Sequence, residues 1–381
     1  MTQILEKTPL NGTAATSTPK TQVADVIDKI ERVREHRKNK FYLRDEHVTL
    51  SHGSGGKASH NLIEGIFAPA FSNPLLDSLD DSAILSIKGM PGQLAFTTDT
   101  FVVSPLFFPG GDIGKLAVHG TINDLAVAGA EPLYLSSAFI LEEGFSIESL
   151  RKVVDSMARA AADAGVSIAT GDTKVVQRGK ADGLFINTAG VGLVRTTRPV
   201  GQMHVRPGDK ILISGSVGDH GVAVMLAREG LEIQTSVESD TAPLHTLVAA
   251  LISAVGEGVH CLKDPTRGGL ATTLNEIALG SEVAIALDER LIPVTAGVRG
   301  VCEILGLDPL TIANEGKLIA IVTPETVRPA LEAMRAHPLG QQAALIGEVR
   351  AEPASMVFLR TELGGTRVLD MLVGDPLPRI C

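Results

Sequence analysis

Residues 94–140 read LAFTTDTFVVSPLFFPGGDIGKLAVHGTINDLAVAGAEPLYLSSAFI. The apolar run 94–98 predicts a strand. Asp112 is placed to cap a helix whose apolar residues continue to Ala128, and Gly129 stops it. Residues 133–140 are strand-like again. This alternation of strand and helix supports an α/β or α+β fold.

The pattern continues on both sides. Residues 146–164 predict a helix, and 166–170 and 184–194 predict strands. Arg206-Pro207-Gly208-Asp209 then resets the pattern before a strand at 210–214, which places a domain boundary near 200–208. Beyond it, helices are expected at 220–228, 243–255, 268–279 and 325–336, with strands at 283–287, 318–322 and 345–349. The strand order is not readable. The fold class expected is α+β, a mixed α/β arrangement in two domains: 46–204 and 205–355. Residues 356–381 form a C-terminal segment, and its prolines predict an extended, mobile tail that leaves the globular body. Residues 1–45 form an extension in which Val23, Val26, Ile27, Ile30 and Val33 recur at helical spacing. Glu31 and Glu35 among its bases favour a solvated amphipathic helix over a nucleic-acid arm.

The chain has 381 residues, 44% hydrophobic, 20% charged and 3% aromatic with no Trp, so its cores are aliphatic and two domains are natural. A net charge of −10 opposes nucleic-acid binding. No apolar run reaches the ~18–20 residues that span a bilayer, and no secretory signal opens the chain. The three cysteines form no C-x-x-C pair. Reduced thiols in a cytoplasmic protein, away from membranes, are therefore expected. Cys261 and Cys302 lie in apolar patterns and read as core thiols. Cys381 does not; it ends an arm long enough to swing into a cleft.

Short acid-bearing loops crowd the first half. Ser51-His52-Gly53-Ser54-Gly55-Gly56-Lys57 precedes a helical pattern and could cradle a phosphate, although it is not a P-loop and, taken alone, a flexible turn explains it better. Asp80-Asp81, Asp99, Asn123-Asp124 and Asp172 follow, mostly at or just past apolar runs. Mg²⁺ takes carboxylates, waters and phosphate oxygens, so several aspartates around a triphosphate make a sensible site. Each could instead be a turn residue or cap; Asp124, inside a helical pattern, resists that reading. Asp264-Pro265-Thr266-Arg267-Gly268-Gly269 reads as a capped helix start or a site, and Asn314-Glu315-Gly316-Lys317 as a turn or a placed carboxylate. Gly218-Asp219-His220-Gly221 reads as a turn and cap.

Together these motifs and the terminal Pro378-Arg379-Ile380-Cys381 resemble the hydrogenase-maturation branch of the aminoimidazole ribonucleotide synthetase-like superfamily, over residues 46 to 381. The resemblance implies an ATP-binding, dimerising first domain and a homodimer joined through sheets. It implies that a partner carbamoyltransferase loads Cys381 and that ATP drives dehydration of the thiocarbamate to a thiocyanate. The cyano group then passes to an iron-carrying scaffold complex. On this reading Asp80, Asp81, Asp99, Asp124 and Asp172 hold Mg²⁺ and the nucleotide, and Gly55, Gly56, Lys57 and Thr98 line the phosphates. Lys174 and Glu315 are candidate bases, and Asn123 and Asn314 orient the amide. The alternatives are a superfamily enzyme acting on a small molecule, or a non-catalytic carrier of the loaded thiol.

Overall fold

The computed structural model describes residues 45–89, 92–228, 235–374, 377 and 379–381. The helix expected around Val23 to Val33 lies outside them. The described chain begins with the turn Leu50–Gly53 and helix α1 (Lys57–Leu62), which continues through Ile63–Phe67 and Ala68–Phe71.

A first sheet follows, built from β1 (Ala83–Ser86), β2 (Gln93–Phe101), β5 (Ala130–Glu142), β6 (Ser167–Val176) and β7 (Leu184–Val194). Its order is β1-β2-β7-β5-β6, with only β5–β6 parallel. The two-residue strands β3 (Phe107–Phe108) and β4 (Gly111–Asp112) pair separately. Helices α2 (Ile113–Val127) and α3 (Ile147–Asp163) cover one face of the sheet. Asp112 caps α2, accepting from the N–H groups of Gly114 at 2.8 Å and Lys115 at 3.1 Å, and Gly129 ends the turn beyond it at φ +74. Nearly every side chain of α2 is buried, as its all-round apolar sequence requires of a helix packed on both sides. The other face of the sheet is open: Phe96, Tyr134 and Ile140 are 43%, 55% and 45% exposed.

The second sheet contains β8 (Lys210–Ile213), β9 (Val259–Lys263), β10 (Ala284–Asp288), β11 (Ile319–Val322), β12 (Ala344–Arg350), β13 (Met356–Arg360) and β14 (Thr366–Val368), ordered β14-β13-β10-β12-β8-β11-β9. Ile211, Ile213, Ile319 and Ile321 pack into one core, while Leu212, Leu318, Ala320 and Val322 pack into another. Burial on both faces explains the uninterrupted apolar runs of β8 and β11. The accompanying helices are α4 (Asp219–Leu226), α5 (His245–Val255), α6 (Gly269–Gly280), α7 (Ala296–Leu305) and α8 (Val327–Ala336).

One expectation changes, and the end of the C-terminal tail is seen docked. The strand foreseen at 166–170 runs on to Val176, so Gly171-Asp172-Thr173-Lys174 lies within β6 rather than in a loop beyond it. The C-terminal arm does not leave the body here. Ile380 is 6% exposed in the core of the first domain, beside Phe101 and Ile113. The N–H groups of Val102 and Ser104 donate to main-chain oxygens of Cys381 and Arg379, both at 3.1 Å. Burying Ile380 and pairing these oxygens outweighs the solvation that an extended tail would keep.

Candidate active site

β2 brings Asp99 to its inner face, where α2 passes closely enough that a Cβ on Gly120 would stand 3.5 Å from the Asp99 carboxylate. Asp124, near the end of α2, accepts a hydrogen bond from the Thr97 hydroxyl at 2.8 Å. The second domain supplies Asp264 and Arg267 from the turn between β9 and α6, and Glu315 from the turn before β11. These side chains and Cys381 line one cavity of about 40 Å³.

Its electrostatics are dominated by carboxylates that burial keeps from ionising easily. Burial raises Asp124 well above the usual range, and Asp264, Asp99 and Asp81 raise it further. Burial, then Asp81, pushes Asp264 up to about 7. Glu315, 2% exposed, is raised well above its ordinary value by burial and by Asp264, Asp99 and Asp240, against which Arg267 offers partial relief. Its Oε1 has no hydrogen-bond partner, whereas its backbone N–H is fixed by Asp240 at 3.0 Å. The negative charge at Cys381 is the main reason the Arg267 guanidinium is raised. Lys263 joins Asp81 at 2.9 Å and Glu276 at 3.6 Å, tying the first domain to the second.

Of the expected members, Asp99, Asp124, Glu315 and Cys381 share the cavity, Asp81 stands beside it on Lys263, and others stand elsewhere. Asp80 turns aside, its carboxylate 3.3 Å from where a Cβ on Gly201 would lie. Asp172 and Lys174 pair at 2.6 Å on the exposed strand β6. The register Thr100–Asn187–Ala138–Asp172 puts Asp172 three strands from Thr100, roughly 14 Å, on the open face of the sheet. Thr98 is on that open face too, accepting from Asn187 at 3.1 Å. Asp99 points to the opposite face, so one protomer cannot bring Lys174 to its own Cys381.

Asn123 and Asn314 are fully buried, but their amides are committed to main chain. Asn123 donates to the carbonyls of Ala242 and Glu315, both at 3.1 Å, and accepts from Leu244 N–H. Asn314 donates to Pro265 at 2.9 Å and Ile312 at 3.2 Å and accepts from Gly218 N–H. They fix the loops around Glu315 rather than reaching a substrate amide. The glycine loop is likewise occupied: Gly55 N–H donates to Ser59 at 2.9 Å, and Lys57 N–H donates to the Leu372 carbonyl at 3.0 Å. Gly56 approaches Leu372 so closely that any Cβ would collide, and the Lys57 side chain is exposed. The loop anchors the root of the C-terminal arm.

The sequence reading left Asp264 and Arg267 open between a helix cap and a site, read His220 as part of a turn and cap, and gave Lys263 no role. The Gly-Gly after Arg267 was the available signal, since Gly268 and Gly269 take φ +77 and +61 in a turn that presents Arg267. Cys261 and Cys302 are buried thiols pushed up by burial to about 12 and about 11. No helix among the described residues is long and apolar enough to cross a membrane.

Residues 79–194 match the AIR synthase related protein, N-terminal domain, and residues 206–360 match its C-terminal domain. Over 344 residues the chain is 54% identical to the carbamoyl dehydratase HypE of Rhizobium leguminosarum bv. viciae, covering 90% of this chain and 98% of that protein. A crystal structure of the hydrogenase maturation protein HypE in complex with ATP aligns with a TM-score of 0.74 at 50% identity, over 88% of this chain and 100% of that one. A crystal structure of a HypE–HypF complex aligns at 0.77 and 47% identity, over 82% and 99%. With both AIR synthase related domains in series and this identity across nearly a whole relative, the chain belongs to the carbamoyl dehydratase HypE family.

Proposed function

We propose that the protein dehydrates an S-carbamoyl group on its own Cys381 to the S-cyano form, with ATP and Mg²⁺, to supply cyanide ligands for the iron of a [NiFe]-hydrogenase in the cytoplasm. The observation that carries this reading is the position of Cys381: the end of the chain occupies the cavity that holds Glu315, Arg267 and the aspartates.

The residues fit the cation. Among the described residues no three acidic, His or Cys side chains form a ready-made cage, but Mg²⁺ commonly uses one or two carboxylates and completes its shell with waters and phosphate oxygens. Asp81, Asp99 and Asp124 would hold it, and their mutual repulsion, only partly met by Arg267 and Lys263, is what a divalent ion relieves. When bound, the nucleotide supplies the phosphoryl group that makes the carbamoyl oxygen a leaving group, and the metal neutralises charge on it.

The chain's own residues do the rest. A cavity of about 40 Å³ has room for the three heavy atoms of a carbamoyl group. Ile380 packs in the apolar cluster that includes Phe101, a wall of the cavity, and so holds Cys381 beside it. Arg267 faces the charge at Cys381 and can hold the oxygen as it becomes anionic. Glu315 Oε1, unpartnered and raised above ordinary carboxylates, is the group placed to take the protons from nitrogen as C≡N forms.

The HypF found with a HypE in a solved complex is the natural counterpart for loading the thiol. An iron-carrying scaffold would accept the cyano group. The open face of the first sheet supports a homodimer, and only such pairing would give Asp172, Lys174 and Thr98 a place at a nucleotide site. Intact-mass spectrometry with the carbamoyltransferase, carbamoyl phosphate and ATP tests the reading. A peptide ending in Cys381 should gain a carbamoyl group and then lose water only with ATP; loading at any other residue sinks the proposal.

A further inference from the structure

The docked arm is held almost entirely by its peptide carbonyls, and the donors come from both domains. The Arg379 carbonyl accepts from Ser104 N–H at 3.1 Å and from the Arg228 guanidinium at 3.2 Å. The Ile380 carbonyl lies 2.8 Å from His220 Nε2, and a main-chain carboxylate oxygen of Cys381 accepts from Val102 N–H. Among the described residues, side-chain contacts come from Ile380 and Leu377, which pack on apolar clusters, and from Arg379, which reaches the Val102 carbonyl and Asp182.

His220 is fully buried at the start of α4, and burial keeps its ring neutral. A carbonyl can only accept, so Nε2 carries the proton and Nδ1 accepts from the Ser239 hydroxyl at 2.8 Å. Ser239 is itself pinned by its N–H to the Pro109 carbonyl at 2.8 Å, and the Phe108 ring stands edge-on to the imidazole at 5.4 Å. The donor therefore has one tautomer and one direction. Arg228 is braced in the same way, its Nε donating to the Ser104 carbonyl at 3.0 Å. None of these groups touches the acidic cavity.

We propose that His220 and Arg228 are positioning residues forming a main-chain clamp that sets the register of the C-terminal arm, so that the residue one position beyond Ile380 is the one delivered to Glu315 and Arg267. Because the clamp reads carbonyls, arm length selects the reacting residue more than arm sequence does. The inference deepens the dehydratase reading and rests on it for its consequence, though the clamp itself is measurable without any turnover.

The test is the rate of alkylation of unloaded protein by N-ethylmaleimide, followed peptide by peptide. Cys261 and Cys302, both buried, report global opening, and Cys381 reports release of the arm. His220→Phe keeps the ring volume but removes the donor, and Arg228→Gln removes the guanidinium. Each should speed Cys381 alkylation about fivefold to tenfold, the weight of one buried hydrogen bond, with Cys261 and Cys302 still protected. His220→Gln, whose amide can replace Nε2–H, should stay within about twofold of the parent. Unchanged Cys381 rates in both His220→Phe and Arg228→Gln overturn the clamp. If His220→Phe exposes all three thiols it has unfolded the site, and Arg228→Gln decides by the same criterion. Should the clamp pass while no variant nor the parent loses water with ATP, the clamp stands and the dehydratase reading falls.

Discussion

Glu315 combines three properties that rarely coincide without chemistry: burial, an unpartnered carboxylate oxygen and several like charges around it. Glu315→Gln keeps the shape and removes the base, so ATP-dependent water loss from carbamoylated Cys381 should fall by about 10²–10⁴-fold while loading of the thiol is unchanged. A base works only when deprotonated. The parent rate should therefore drop as pH falls through a raised Glu315 pKa, a limb above the ordinary carboxylate range that is absent from the residual rate of the variant. Single-turnover mass spectrometry across pH measures both. Asp264 gives a stability counterpart. Its folded pKa of about 7 exceeds the unfolded value, so between roughly pH 4 and 7 the folded state keeps a proton that the unfolded chain has lost, and stability declines as pH rises through that window. Asp264→Asn should melt about 2–4 °C above the parent at pH 8 without nucleotide or Mg²⁺, and no higher than the parent at pH 4. A lower Tm at pH 8 would refute the assignment. At this scale the sequence exposed Asp124, because a cap explanation strains inside a helical pattern, and it left Asp99 and Glu315 open between a turn and a site. It hid the partners of His220 and Arg267, which lie 160 and 214 positions away along the chain.

Strand β6 shows what elements conceal. Gly171 and Asp172 are poor strand formers, so the apolar run reads as ending before them. Pairing overrides propensity: β6 lies parallel to β5 with Gly171 opposite Ser137, where any Cβ would collide with the Ser137 carbonyl. The motif is thereby carried along the sheet on its open face, while helix α2 holds the cavity on the other. The same open face bears Phe96, Tyr134 and Ile140, more apolar surface than one sheet face normally leaves to water. Tyr134→Glu with Ile140→Lys should convert a homodimer to monomers in light scattering and weaken nucleotide binding, since Asp172 and Lys174 would lose the neighbour they need. A dimer that survives both substitutions would mean that copies pair elsewhere. Element type was legible where an apolar stretch was long, as in α2, or where apolar residues recurred at helical spacing, as in α3. Strand order was not, because β7 inserts between β2 and β5 through contacts that no local pattern encodes.

Across the whole molecule the two sheets are joined by buried polar ties, Lys263 to Asp81 and Asn123 to the loops at Ala242 and Glu315, and by the arm itself. The alternation of strand and helix made the α+β class readable; the docking of the arm was not, since its prolines argue only for extension and an extended segment fits a groove as well as solvent. Docking sets a thermodynamic limit that separates the arm from the core. Ile380 is as buried as a core residue, and truncating a buried Ile to Ala inside a core costs about 2–5 kcal/mol of global stability. An arm that can detach loses no more than its own docking free energy, because the rest of the fold persists without it. Ile380→Ala should therefore leave Tm within about 1 °C of the parent while raising the alkylation rate of Cys381 tenfold or more. A large Tm loss instead would mean that the arm folds as part of the core and does not exchange. Loading by a partner enzyme would then require opening the whole first domain, a cost that an enzyme working through its own terminus could not meet at every turnover.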